Sequence, residues 1–196
     1  MSEDDSALFL ASMQGVKPLK SSQVATLHGA NNQHSDQLRH QAAQRRLALD
    51  KLSLDLAEIT PIAPDAVVSV KKEDVQGQVF KLFRQGKYEV QADLDLKGIA
   101  LPRARELLYD FVVNSQQAGF RNLIVIHGTG VNNQPFPAKL KSCVTAWLEE
   151  IQGVQAFHSA PKIWGGAGAM MVMLAKSSQD KLETAEQHQK GQHRWA

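Results

Sequence analysis

Three short glycine-rich segments in the second half of the chain hold the residues best suited to chemistry. They are Asp95-Leu-Lys-Gly98, His127-Gly-Thr-Gly130 and Gly165-Gly-Ala-Gly168. Successive backbone amides in glycine loops form concavities that bind anions, and Lys97 adds a full positive charge. The combination favours a phosphate or a phosphodiester over a neutral or cationic ligand. The candidate phosphate-binding amides are those of Gly128, Thr129, Gly130, Gly165, Gly166 and Gly168.

Other site motifs are absent from the sequence. Neither glycine segment has the G-x-G-x-x-G spacing of a dinucleotide site, and the chain has no P-loop and no G-x-S-x-G nucleophile elbow. The single cysteine, Cys143, excludes a cysteine-rich zinc site, and no metal-ligand motif is visible. We therefore expect no cofactor, although a divalent metal is left open. His127 alone also fits a structural role, such as bonding a loop carbonyl.

The elements around these segments predict a small α/β domain. Ala92, Leu94 and Leu96 alternate with polar residues, and the apolar run from Leu123 to Ile126 predicts a strand buried on both faces. Amphipathic helices are predicted from Pro102 to Gly119 and through residues 140–151, followed by strands at 154–158 and 169–174. The order β-α-β-α-β-β predicts a two-layer sandwich with a four-stranded mixed sheet and both helices on one face.

The rest of the chain divides into an arm, a lead-in helix and a tail. Residues 1–70 are predicted to be an arm with a short amphipathic helix at 6–14, a polar linker at 20–37 and weak structure beyond. Residues 71–87 predict a basic amphipathic helix, residues 88–175 the α/β domain and residues 176–196 a polar tail. The basic side chains of this helix are Lys81, Arg84 and Lys87. They either form a face of the helix that is exposed to solvent or contact the phosphates of a nucleic acid.

Composition limits the class of protein. A chain of 196 residues at 43% hydrophobic and 21% charged is typical of a globular protein with one good core and an extension. Its net charge of +2 is far from that of a histone-like nucleic-acid binder, so any case for nucleic acid depends on local charge. No apolar run is long enough to span a membrane, and no signal peptide is evident. We expect a cytoplasmic protein with no membrane partner.

Three ordered motifs resemble the small MutS-related (Smr) domain family. They are Leu94-Asp-Leu-Lys-Gly98, Val125-Ile-His-Gly-Thr-Gly130 and Gly165-Gly-Ala-Gly-Ala169, with amphipathic helices between them. The Lys81–Tyr88 lead-in and the Leu8–Leu19 start are also similar to those of stand-alone bacterial Smr proteins. The resemblance extends over almost the whole predicted α/β domain.

The resemblance implies a nuclease-associated domain that nicks DNA or cleaves RNA, in some members on messenger RNA at stalled ribosomes. It also implies that the N-terminal arm helps to dock on the ribosome. The family's first motif usually reads Leu-Asp-Leu-His-Gly, with the aspartate and the histidine implicated in cleavage. These positions fall on Asp95 and Lys97, and the lysine of the family's His-Gly-Lys-Gly falls on Thr129. Two family residues are thus replaced in this chain.

These replacements leave two classes of function open. In the first, the protein is an endonuclease: Asp95 accepts a proton from the nucleophile, Lys97 and the glycine-loop amides hold the phosphate, and His127 is the acid. In the second, it is a nucleic-acid or ribosome-binding protein that keeps the phosphate site and has lost efficient chemistry. Lys97 separates the two, because a lysine of ordinary pKa is a fixed cation near pH 7 whereas a histidine can move a proton.

Overall fold

The computed structural model describes residues 30–176, with side chains from His34 onward. The predicted helix at 6–14 and nearly all of the predicted tail lie outside these residues. The chain forms two compact units, residues 1–43 and residues 44–196. Helix α1 spans Ala30–Lys51, so the predicted linker at 20–37 is helical from Ala30 onward. No glycine or proline interrupts that segment, and its alanine and glutamine residues favour a helix.

The α/β order and the mixed sheet that the sequence predicts are confirmed. After α1, the elements are β1 Ser69–Lys71, α2 Gly77–Arg84, β2 Ala92–Asp95, α3 Leu101–Gln117, β3 Asn122–Ile126, α4 Lys139–Glu150, β4 Val154–Ser159 and β5 Ala169–Leu174. The sheet order is β1-β4-β5-β3-β2, with β2 parallel to β3 and the other neighbours antiparallel.

The sheet has five strands rather than the four predicted. The additional strand, β1, pairs Ser69 with His158 and Lys71 with Ala156 of β4. The apolar run Val67-Val-Ser-Val predicts a short strand at this place, but the sequence does not show its pairing with β4, so it was not counted in the predicted sheet.

Both faces of the sheet are covered. Leu123 and Val125 of β3 pack in a core with residues of α3 and α4, whereas Ile124 packs in a second core that contains Phe83 of α2. The burial of all three side chains confirms the prediction of a strand without polar alternation. Helices α3 and α4 share one face as predicted, and α2 covers the other.

The compact unit begins earlier than the predicted domain boundary at residue 88. It starts at Gln44, and Leu49, Leu52, Ile59 and Val68 belong to the main core. Much of the predicted arm is thus part of the domain. Among the described helices, none is long and apolar enough to cross a membrane.

A buried lysine fixes the segment before β1. Lys141 of α4 is fully buried, and its Nζ donates to the carbonyl oxygens of Ala63, Pro64 and Ala66 at 3.1, 3.0 and 2.6 Å. These three acceptors match the three protons of an ammonium group. Burial, with the charge removed from water, lowers the pKa of Lys141. The lysine therefore ties an irregular segment to α4.

The sheet topology brings the three glycine-rich segments to one edge. Strand β3 is parallel to β2, and it is also parallel to β4 because β5 runs antiparallel to both. The carboxyl ends of β2, β3 and β4 and the amino end of β5 therefore lie at the same edge of the sheet. Each predicted site segment follows one of these strand ends.

Candidate functional site

Asp95 and Lys97 form a tight turn at the end of β2. One carboxylate oxygen of Asp95 accepts a hydrogen bond from the Lys97 amide at 2.9 Å, and the other lies 3.1 Å from Lys97 Nζ. The amide hydrogen bond, followed by the ammonium group, lowers the pKa of Asp95. About half of each side chain is exposed. Asp95 is therefore an ionised, ion-paired carboxylate and a weak base.

His127 is buried at the end of β3 and is 4% exposed. Its Nδ1 lies 2.7 Å from the carbonyl oxygen of Gly128, and because a carbonyl can only accept, the proton is on Nδ1. Nε2 is then an acceptor, and no group in the described part of the chain donates to it. Burial, helped by the charge of Lys141 and opposed by the hydrogen bond to Gly128, lowers the pKa of His127 to about 4. The ring is neutral near pH 7, and its one N–H donates to the Gly128 carbonyl.

The two remaining glycine loops meet at one oxygen atom. The carbonyl of Gly168 accepts hydrogen bonds from the amides of His127 and Gly128 at 3.1 and 2.8 Å. A Cβ on Gly168 would lie 3.4 Å from the Gly128 carbonyl carbon and from the Thr129 nitrogen, which is tighter than most contacts of real Cβ atoms. The close approach of these backbones accounts for the glycine.

Most of the predicted phosphate-binding amides are already bonded. The Gly128 amide donates to Gly168, and those of Gly165, Gly166 and Gly168 donate to Lys162, Pro161 and Gly165. The amides of Thr129 and Gly130, by contrast, donate to no acceptor in the part of the chain that the structure describes. The second glycine loop therefore supports the first loop, and only Thr129 and Gly130 offer open amides.

A cleft of about 750 Å³ lies beside these residues, and its walls include Lys97, His127 and Lys139. The first residues of α3 and α4 also line it, and neither helix has an acidic residue in its first turn or a side-chain cap. Helix N-termini carry partial positive charge, which a carboxylate or a phosphate stabilises. Two lysines and two uncapped helix ends give the cleft a positive potential suited to an anion.

The structure brings together one part of the predicted site and separates another. Asp95, Lys97, His127, the His-Gly loop and Gly168 are contiguous, since a Cβ on Gly128 would lie 3.3 Å from Lys97 Cγ. The basic residues of α2 lie on the opposite face of the sheet from the cleft helices. Sequence reasoning missed Lys139. Its position in the first turn of a helix, where a cation is unfavourable, was the available signal.

Asp93 is the other carboxylate of β2, two residues before Asp95. Both are exposed, and residues two apart in a strand point to the same face. Within residues 30–176, no three His, Cys, Asp or Glu side chains are grouped so that they could hold a metal ion. Phosphate binding and proton transfer at this site would therefore depend on side chains and backbone amides.

The depressed pKa of His127 predicts a pH dependence of stability. Between about pH 6.5 and about pH 4 the unfolded chain binds a proton that the folded chain does not, so the free energy of unfolding falls as pH falls. We expect His127 to account for a loss of about 3 kcal/mol over this range. Denaturant unfolding at a series of pH values measures it.

The matched variant is His127→Asn, whose amide can donate to the Gly128 carbonyl but does not titrate. Its unfolding free energy should depend less steeply on pH than that of the unmodified protein. His158, whose pKa burial also lowers, supplies a residual slope in both proteins. Identical pH slopes would show that His127 titrates normally in the folded state.

Comparisons with known proteins agree with this arrangement. The family model of the Smr domain matches residues 94–175, which include all three glycine-rich segments. The protein named probable DNA endonuclease SmrA from Escherichia coli K12 is 32% identical over 97% of this chain and 98% of its own length. The chain belongs to the Smr family. The resemblance inferred from the three motifs is confirmed.

Other Smr relatives match nearly as much of the chain. The protein named ribosome rescue factor SmrB from Tolumonas auensis is 28% identical over 90% of this chain and 96% of its own length. The crystal structure of YdaL, a stand-alone small MutS-related protein from E. coli, superposes with a TM-score of 0.56 at 31% identity. That match covers 64% of this chain and 94% of YdaL, which supports the Smr fold described above.

Proposed function

We propose that this Smr protein is an endonuclease that cleaves phosphodiester bonds within DNA or RNA. The observation that carries the proposal is a cleft whose walls include His127, with its buried and unpartnered Nε2, beside the cations Lys97 and Lys139. A proton acceptor beside an anion site is what the attack of a hydroxyl group on a phosphodiester requires. Membership of a family that includes a probable DNA endonuclease supports the same reaction.

The cleft binds the scissile phosphate in this proposal. Lys97 and Lys139 supply charge, and the unbonded amide of Gly130, with that of Thr129 next to it in the loop, supplies a directed donor. Charge builds up on the phosphate oxygens in the transition state, and donors that are already positioned stabilise it without reorganising. Asp95 holds Lys97 in place through the 3.1 Å ion pair.

His127 accepts the proton, which reverses the acid role that the sequence suggested. Its Nε2 takes a proton from the attacking hydroxyl, which is water or a ribose 2'-OH, while the oxygen forms a bond to phosphorus. The P–O bond to the leaving nucleoside then breaks, and that oxygen takes a proton from solvent. A neutral imidazole whose one N–H is bonded to Gly128 has no proton to give, which leaves it the acceptor role, and its pKa of about 4 makes it a weak base.

A second candidate function is binding without efficient cleavage. Lys97 stands where the family usually has histidine, and its ion pair with Asp95 leaves that carboxylate a poor base. In that case the same cleft holds a phosphate and the protein acts through its binding partners. Docking on ribosomes through the arm remains a prediction, because residues 1–29 lie outside the described structure.

Cleavage of end-labelled DNA and RNA of one sequence tests the proposal, with Lys97→His beside the unmodified protein. If Lys97 is a working phosphate ligand, the histidine variant should cleave about tenfold more slowly, since a charge-assisted hydrogen bond is weakened. If efficient chemistry has been lost, the unmodified protein should be inert and Lys97→His should gain activity. Cleavage of both polymers would show that no 2'-OH is needed.

A further inference from the structure

The turn after β4 exposes an apolar side chain next to the proposed site. Residues Lys162–Trp164 form one turn of 3₁₀ helix, and Ile163 at its centre is 82% exposed. It is the most exposed of the large apolar side chains in the described residues. Single exposed apolar residues are common on protein surfaces, so exposure alone assigns no role. The surroundings of this one are distinctive.

The turn is held rigidly. The amides of Trp164 and Gly166 both donate to the Pro161 carbonyl, at 2.9 and 3.1 Å. Trp164 packs against Gly86 closely enough that a Cβ there would lie 3.1 Å from the indole ring. Ile163 is therefore presented at a fixed position, and binding through it would cost little conformational entropy.

Basic side chains surround the turn. Lys162 is exposed beside Ile163, and Lys87 follows the glycine on which Trp164 packs. Arg84, one turn earlier, is exposed with its guanidinium 5.3 Å from the centre of the Phe80 ring. The Ile163 side chain among these basic residues is complementary to a polymer that has apolar faces and regularly spaced negative charges. Nucleic acid has both, in its bases and its phosphates.

The turn and the cleft lie at the same edge of the sheet. Gly168, which ends the loop that begins with this turn, accepts hydrogen bonds from the amides of His127 and Gly128. Trp164 packs in the core on the α2 face, whereas the cleft opens beside the ends of α3 and α4. The cleft and the turn that carries Ile163 therefore lie on opposite faces of the sheet at one shared edge.

We propose that Ile163 contacts the bases of an unpaired segment adjoining the phosphate held in the cleft. Lys162 and Lys87 bind the phosphates that flank this segment. Apolar side chains that protrude among basic residues contact unstacked bases, and an unpaired segment accepts them without the cost that unstacking a duplex base step requires. This inference rests on the proposed function and adds a substrate class, which is single-stranded or locally unpaired nucleic acid.

Binding of a fluorescent single strand of about 12 nucleotides, measured by anisotropy, tests the proposal. We expect Ile163→Ala to weaken binding about fivefold to tenfold and to leave the salt dependence unchanged, since no charge is altered. Lys162→Gln should lower the slope of log affinity against log salt by about 0.7. Leu47→Ala, which removes an apolar side chain that is 66% exposed on α1, should change neither quantity.

A continuous duplex of the same sequence is the second probe. Binding to it should be the same for Ile163→Ala and the unmodified protein, because paired bases do not reach the tip. Equal affinity of the two proteins for the single strand, or no binding by either, would overturn the proposal. An equal loss on strand and duplex would also overturn it. If Ile163→Ala binds the single strand more weakly but neither protein cleaves it, this inference is supported and the proposed endonuclease activity is rejected.

Discussion

The variant His127→Asn should cleave nucleic acid at least about 100-fold more slowly than the unmodified protein, because proton transfer by a positioned side chain contributes about 10²–10⁴-fold. Asparagine can still donate to the Gly128 carbonyl, which His127 Nδ1 contacts at 2.7 Å, so the loop keeps its shape. It has no atom at the place of Nε2. The substitution therefore removes the acceptor and retains the structural bond.

Binding separates this effect from a collapsed site. The affinity of His127→Asn for an uncleaved strand should stay within about twofold of the unmodified protein, since the neutral ring contributes no charge to phosphate contacts. His158→Asn is the matched control, because His158 is a half-buried histidine of β4 that packs against Phe80 of α2. Equal cleavage by His127→Asn and His158→Asn would remove His127 from the reaction.

The largest expected effect on stability comes from Lys141→Met. Methionine fills similar space, but the carbonyls of Ala63, Pro64 and Ala66 lose their donor in a buried environment. Each buried carbonyl left without a donor lowers the free energy of unfolding by about 1–3 kcal/mol. Methionine also removes the cost of burying a charged ammonium group, which offsets part of this loss. We expect the free energy of unfolding to fall by about 3 kcal/mol.

Lys139→Met is the control for this substitution, since Lys139 begins the same helix and lines the open cleft. Its unfolding free energy should change by less than about 0.5 kcal/mol, as for surface substitutions generally. The two variants compared by urea unfolding under one set of conditions give the difference directly. A Lys141→Met protein as stable as Lys139→Met would mean that residues 63–66 are satisfied by solvent.

Local patterns predicted most of the sheet and helices. The run from Leu123 to Ile126 and the boundaries at Pro102 and Gly119 placed β3 and α3 to within one or two residues. The prediction succeeded because burial on two faces, helix initiation by proline and termination by glycine are properties of neighbouring residues. Strand β1 was not placed in the sheet, because its partner lies about ninety residues away in the chain.

The motifs indicated Asp95, Lys97 and His127, and the structure places all three in one region, while their part in a reaction stays a prediction. The sequence does not show the burial of His127 or its bond to the Gly128 carbonyl, which together favour a neutral ring rather than an acid. Lys139 was overlooked although a lysine in the first turn of a helix is unfavourable, because the sequence does not show that this turn lines the cleft.

The carbonyl group of Gly168 has a mechanical consequence. It holds two successive amides of the His127 loop, and the chain leading to it comes from the turn that carries Ile163. The Gly168 carbonyl therefore joins the backbone that positions the imidazole of His127 to the chain segment that carries Ile163, and neither can move relative to the other without breaking these two hydrogen bonds.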